Sequence, residues 1–159
     1  MPTLSVVIVT RNRQDEVAGL LSDLQAMPRD AGDEIIVVDN ASTDGTAERV
    51  RQDFPGVKVL AFEANRGAPA ARNKGAAAST GEVLVFLDDD VRVPDRLFLA
   101  RIRQAFGAEA EMAAAAFRIV DPATGGSRSF EIPRRRKDLA MEGCETSYFI
   151  AAGCAIRRS

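Results

Sequence analysis

The chain of 159 residues contains no histidine. That absence excludes a Ser-His or Cys-His nucleophile pair and any imidazole-based zinc site. Acid–base chemistry must then rest on carboxylates, and a metal site must be lined by oxygen. There are two cysteines, Cys144 and Cys154, without CxxC spacing. They read as free, mostly buried thiols rather than a disulfide or metal pair. Long apolar runs are also missing: Leu4 to Val9 and Val83 to Leu87 are far too short to span a bilayer. No basic and apolar leader opens the chain, so the expected compartment is the cytosol. Neither GxGxxG nor a P-loop occurs, and no internal repeat or low-complexity tract interrupts the pattern.

What is present fits one globular domain. The hydrophobic fraction is 46% and the charged fraction 28%, ordinary values for a folded chain of this length. The net charge of −2 is unevenly spread. Residues 126–159 hold 7 basic and 4 acidic side chains, against 14 and 19 in the rest. Arg134, Arg135, Arg136 and Lys137 make most of that difference. One such cluster without interleaved aromatics gives no expectation of a nucleic-acid partner. It reads first as a solvated loop; the alternative is an anionic ligand or lipid headgroup, and with it peripheral association at the inner face of a membrane.

Short β-branched runs alternate with helix-period segments. Strands are expected at Leu4 to Thr10, Glu34 to Asp39, Val57 to Phe62 and Val83 to Leu87. Helices are expected at Gln14 to Ala26, Thr43 to Asp53, Ala68 to Ala78 and Pro94 to Phe106, the last ended by Gly107. Near-continuous apolar strands alternating with helices predict an α/β fold, a mostly parallel central sheet with helices on both faces. Beyond Met112 the expectation is a strand to Val120, a turn at Asp121 to Gly126, a returning strand at Ser127 to Ile132, a basic loop, and a final strand at Ser147 to Ile156.

In such sheets, ligands bind beyond the carboxyl ends of the strands. Polar residues cluster there: Thr10-Arg11-Asn12, Asp39-Asn40-Ala41-Ser42, Asn65-Arg66-Gly67 and Asp88-Asp89-Asp90. Three adjacent carboxylates repel one another, and a divalent cation would remove the penalty while offering coordination positions to phosphate oxygens. Hard oxygen ligands favour Mg²⁺ or Mn²⁺. The bland alternative is that Asp90 caps a turn and the others face water. Asp39 closes an apolar strand where it can accept from a nucleobase N–H, whereas Ser42 and Asp44 suit a helix cap. Gly67 permits an unusual backbone angle or close approach, and the helix after it offers free N–H groups to an anion. Arg72, in that helix, can reach a nucleotide or form a surface ion pair.

In order and spacing these segments resemble the family 2 glycosyltransferases with the GT-A fold. Carrying the resemblance are Ser5 to Arg13, Ile35 to Thr46, Asn65-Arg66-Gly67 with Ala71 to Gly75, and Gly81 to Asp90 with Pro94, over about residues 4–100. It implies a hexosyltransferase-type enzyme of polysaccharide biosynthesis, moving a sugar from a UDP, GDP or dTDP donor to a saccharide or lipid-linked acceptor, with inversion. Thr10, Arg11 and Asp39 would hold the base. Asn12, Asn65, Gly67 and Arg72 would lie at the nucleotide sugar, and Asp88 and Asp89 would touch it as part of the family's DxD. Metal ligation would fall to Asp89, Asp90 and Asp88, in a register that three consecutive aspartates leave open. A single domain is expected, with residues 1–110 binding nucleotide and 111–159 beginning an acceptor-side part.

The family's acidic base motif has no counterpart after Arg158, so the chain is expected to be cut short there. Glu142 and Glu145 are weak substitutes for the base. An apolar edge left open by the cut would favour self-association. The alternatives are a non-catalytic nucleotide-binding fragment, a haloacid-dehalogenase-type phosphohydrolase, and a sugar-nucleotide pyrophosphorylase, whose Gly-rich opening motif is missing.

Overall fold

The structure is a computed structural model and describes residues 1–118, 120, 124–125 and 153–158. The elements run β1 (Leu4–Thr10), α1 (Gln14–Gln25), β2 (Glu34–Asp39), α2 (Thr46–Asp53), β3 (Lys58–Ala61), α3 (Ala68–Ala78), β4 (Val83–Asp88), α4 (Phe98–Ala108), β5 (Ala114–Ala116) and β6 (Gly153–Arg157). One sheet has the order β3-β2-β1-β4-β6-β5. The strands β1 to β4 are parallel, and β6 runs antiparallel to both β4 and β5. The mostly parallel sheet with helices on both faces is therefore the architecture that forms.

Strand residues alternate between two apolar layers, as a pleated sheet requires. Leu4, Val6 and Ile8 of β1, Ile35 and Val37 of β2, and Val83, Val85 and Leu87 of β4 pack with α1, α2 and α4. Val7, Ile36 and Val38 pack on the other face against Ala71 of α3. Helix α3 lies very close there: a Cβ on Gly75 would stand 2.3 Å from Val7 Cγ1. Small residues at Ala71 and Gly75 are thus a condition of the approach, which fixes where Arg72 projects.

Several element ends differ from expectation for local reasons. Helix α2 begins at Thr46 rather than Thr43, because Ser42 and Thr43 are engaged by the preceding loop and Gly45, at φ 87°, makes the N-cap. Helix α4 begins at Phe98 rather than Pro94, after a turn in which Asp95 accepts from the Leu97 and Phe98 N–H groups. It passes through Gly107 to Ala108. Strand β5 is three residues long. The expected strand at Ser127 to Ile132, the basic loop and the start of the final strand fall outside the described residues.

Strand β6 is anchored by two consecutive arginines with opposite destinations. Arg157 donates to the carbonyls of Phe106 (2.7 Å) and Glu109 (2.9 Å) at the end of α4. Arg158 donates to the carbonyls of Ser79 (2.7 Å) and Gly81 (3.1 Å) after α3. A cation at a helix C-terminus is favourable, and here one strand ties down a helix on each face of the sheet.

Candidate functional site

Strand β1 lies between β2 and β4: the chain leaves β1 for β2 and β3 on one side, and the connection from β3 crosses back to β4 on the other. The crevice at its carboxyl end is the switch point where ligands bind in open α/β sheets. Register places Thr10 opposite Asp39 and Val9 opposite Asp88. Three of the four polar clusters thus meet at one mouth through strand pairing alone, and Asn65-Arg66-Gly67 joins them through Asn40.

Asp39 is 2% exposed and Thr10 1%. Asp39 Oδ1 accepts the Ser42 N–H at 2.7 Å. Its Oδ2 and the Thr10 Oγ1 are buried without a hydrogen-bond partner. Buried polar atoms in native proteins are nearly always paired, so these two oxygens at adjoining register positions, with Asp89 near Thr10, leave acceptor and donor capacity open at the mouth.

The loops around them are tied to one another. Asn12 N–H donates to Ser42 Oγ (2.9 Å), and Asn12 Oδ1 accepts from Thr43 N–H (2.7 Å). Ser42 is therefore a loop-to-loop tie, not the helix cap expected of it, while Asp44 accepts from Thr46 N–H (3.0 Å) at the start of α2. Asn12 at φ 52° and Ala41 at φ 63° both take the left-handed region. That conformation is unfavourable for alanine and persists only where surrounding bonds over-determine it. Arg11 is exposed at the entrance to this loop.

Asn40 and Asn65 form a second tie. Asn40 Nδ2 donates to Asn65 Oδ1 (2.7 Å), which also accepts from Gly67 N–H (2.9 Å), while Asn40 Oδ1 accepts from Arg66 N–H (2.9 Å). Gly67 sits at φ 80°, ψ 156°, a glycine conformation, and leads directly into α3. Asn65 and Gly67 thus shape the loop and present the first turn of α3 to the crevice.

The pleat divides the acidic run. Asp88 faces the α3 layer and pairs with Arg72 at 2.6 Å. Asp89 turns to the α1 layer, where Arg13 Nη1 lies 3.2 Å from Asp89 Oδ1 and 2.8 Å from Asp90 Oδ2. Burial pushes Asp89 above its ordinary range; the nearby Thr10 hydroxyl, outside hydrogen-bonding geometry, and the Arg13 guanidinium pull the other way. The mutual repulsion expected of three acids is thus already offset by two guanidinium groups, which composition alone did not reveal. Arg13 and Asn40 are the residues that sequence reasoning left without a role. Both stand in the quoted motifs, and a strand-end arginine beside a strand-end acidic run was the available signal.

Among the described residues no three carboxylate, imidazole or thiol groups converge as a metal cage. The donor chemistry still fits a hard divalent cation. Asp90 is 54% exposed at its side chain, and Mg²⁺-type ions are commonly held by one or two carboxylates together with substrate phosphates. An open cavity of about 310 Å³, lined by Asp15, Glu16, Gly19, Asp90 and Arg92, adjoins the run on the α1 side. The base candidates Glu142 and Glu145 lie outside the described residues. Cys154 is free and buried, as expected.

The sheet order, the crevice at β1 and β4 and the acidic run at the end of β4 define a GT-A-type fold. The family model of glycosyl transferase family 2 matches residues 5–159, and the chain belongs to that family. A mannosyltransferase from Pyrobaculum calidifontis, solved with GDP-Man and Mn²⁺, superposes with a TM-score of 0.77 at 24% identity, over 99% of this chain and 45% of that one. TarS of S. aureus, solved with UDP-GlcNAc, gives 0.69 at 24% identity, over 80% and 37%. At these identities the likeness shows the fold. In sequence, glucosyl-3-phosphoglycerate synthase of Mycolicibacterium smegmatis is 32% identical over 107 residues, 63% of this chain and 35% of that protein. An uncharacterized glycosyltransferase of Haemophilus influenzae is 39% identical over 87 residues, 55% and 29%. The chain spans about a third of the length of these curated relatives. The family match sets aside the phosphohydrolase and pyrophosphorylase alternatives. Among the described residues, no helix is long and apolar enough to cross a membrane.

Proposed function

We propose that this chain binds a nucleoside-diphosphate sugar and forms the donor half of an enzyme that transfers the sugar to an acceptor hydroxyl with inversion. The observation that carries the reading is the partnerless Asp39 Oδ2, buried beside the equally partnerless Thr10 Oγ1 at the mouth of the sheet. A carboxylate oxygen there accepts from a base N–H, and the Thr10 hydroxyl adds a second polar contact. Asn12, Asn40 and Asn65 hold the walls in position. Arg72 fixes Asp88 toward the sugar-phosphate side, and the first turn of α3 presents N–H groups to phosphate.

Asp88, Asp89 and Asp90 would hold a Mg²⁺ or Mn²⁺ ion, with Asp90 the most accessible. Such an ion, when bound, neutralises charge on the departing diphosphate. Proteins of this fold solved with Mn²⁺ and GDP-Man, or with Mn²⁺ and UDP, support this part of the reading. The acceptor, a saccharide or a lipid-linked one, would approach from the side of residues 111–159, with Glu142 or Glu145 as candidates to remove its hydroxyl proton. Localisation in the cytoplasm or at the inner membrane face, and self-association, belong to the same proposal.

The test is thermal stabilisation by UDP, GDP, dTDP and CDP, each with and without Mn²⁺. Ligand at about 100 times its Kd adds roughly 2.7 kcal/mol to stability. One nucleotide should stand out and gain further from Mn²⁺. A flat response across all four would overturn the assignment.

A further inference from the structure

Arg13 has a place that the donor site as described does not use. Its Nη1 lies between two successive carboxylates, 2.8 Å from Asp90 Oδ2 and 3.2 Å from Asp89 Oδ1. That is where a bridging cation would be attracted. The backbone of Arg13 is fixed, its carbonyl accepting the Val17 N–H of α1 at 3.1 Å. Its side chain is not enclosed, with 47% of it exposed. Arg72, the other guanidinium at the run, is more enclosed at 26% and holds Asp88 alone. One arginine is therefore built into the wall, and the other rests on it.

We infer that Arg13 is a resident counter-ion of the acidic run, occupying the cation position until a nucleoside diphosphate arrives and draws the guanidinium onto phosphate. This rests on the donor-site reading above and adds an order of events to it. Without nucleotide, a divalent ion must compete with Arg13 for Asp89 and Asp90, and it binds weakly. A diphosphate offers the planar guanidinium a bidentate, doubly charged partner, better than an exposed carboxylate pair. Movement of Arg13 to the phosphate uncovers Asp90 as the phosphate oxygens come within reach of it. Nucleotide and metal then reinforce each other's binding, and the reinforcement is reciprocal. The device keeps the acids neutralised at every stage, so the run never faces its own repulsion.

The experiment titrates Mn²⁺ into the 159-residue chain without nucleotide, following the free aquo-ion by electron paramagnetic resonance. Arg13→Gln should bind Mn²⁺ about 10-fold more tightly than the parent, the scale of a typical coupling between sites. Arg13→Lys, which keeps a cation there, should stay near the parent. Circular dichroism would verify that both variants fold, as the exposure of Arg13 leads one to expect. An Arg13→Gln affinity equal to or weaker than that of the parent overturns the inference, even where UDP or GDP still stabilises the parent chain. Failure of every nucleotide to stabilise the parent would instead remove the donor-site reading beneath it.

Discussion

Both ends of the parallel sheet bring acids and arginines together, and the two ends use them differently. At the amino end, Arg103 is held by Asp30 at 3.1 Å and by Asp33. Asp33 also accepts the Leu4 N–H at 2.9 Å. Beside it, Ser5 donates to Glu34 at 2.7 Å and accepts from Gly81 N–H at 2.8 Å, and Thr80 donates to the same Glu34 oxygen. Arg103 and Asp33 side chains are 6% and 2% exposed, whereas at the carboxyl end Arg13 and Asp90 are 47% and 54% exposed. The carboxyl end also keeps two buried oxygens unpaired, on Thr10 and Asp39. Arg103 Nε, 3.1 Å from Asp30 Oδ2, is likewise without a hydrogen bond, but there the guanidinium charge is met by two carboxylates. The amino end thus answers its charges within the fold, and the carboxyl end leaves two buried oxygens and an exposed ion pair open.

The contrast can be broken at the amino end most forcefully. Arg103→Met leaves Asp33 charged and buried, and breaking a buried pair in this way costs about 3–5 kcal/mol. The urea midpoint should fall accordingly, with nucleotide affinity unchanged for the fraction that remains folded. A loss of affinity without loss of stability would mean that the two ends are not separate in role.

At the carboxyl end, Asp39→Asn keeps an oxygen for Ser42 N–H but sets a donor where the proposed base N–H would meet Oδ2. A hydrogen bond to a charged group is worth about 1.5–3 kcal/mol, so Kd for the preferred nucleotide should rise roughly 10- to 100-fold. Calorimetry checks this, and a wild-type Kd would remove Asp39 from base recognition. Smaller in effect is Ser5→Ala, which orphans the buried Gly81 N–H at a cost of about 1–3 kcal/mol. It should appear as a lower Tm with ligand binding intact.

Smallest is Asp89→Asn, whose effect has the opposite sign. The folded-state pKa of Asp89 is raised from 3.8, chiefly by burial. Ionised Asp89 therefore costs stability at neutral pH, a cost that fades as pH falls through the folded pKa and vanishes below the unfolded one. The variant should show a slightly higher Tm at pH 7 and none of that gain near pH 3, with Mn²⁺-dependent stabilisation weakened. A Tm at pH 7 below the parent's would show that the Arg13 contact outweighs desolvation.

Much of this was legible beforehand because it is periodic. Apolar strands at Leu4 to Thr10, Glu34 to Asp39 and Val83 to Leu87, with helix-period segments between them, dictate strand and helix by burial alone. Polar residues after each strand mark the carboxyl end for the same reason. Where helices begin was less legible: Thr43 and Pro94 look like helix starts, yet side-chain bonds from Asn12 and Asp95 hold the backbone in turns first. Ser42 looked like a cap by type and became a tie because Asn12 lies opposite it across two strands.

The sequence by itself determined the layer arrangement and the presence of four strand-end clusters, since both follow from local pattern and chain connectivity. Only tertiary structure decided how the acidic run is shared. Pleat sends Asp88 toward Arg72 and Asp89 toward Arg13, and long-range pairing sets Thr10 beside Asp39. Which charge neutralises which, and which oxygens stay unpaired, depends on contacts between residues far apart in the chain, and no local pattern encodes those distances.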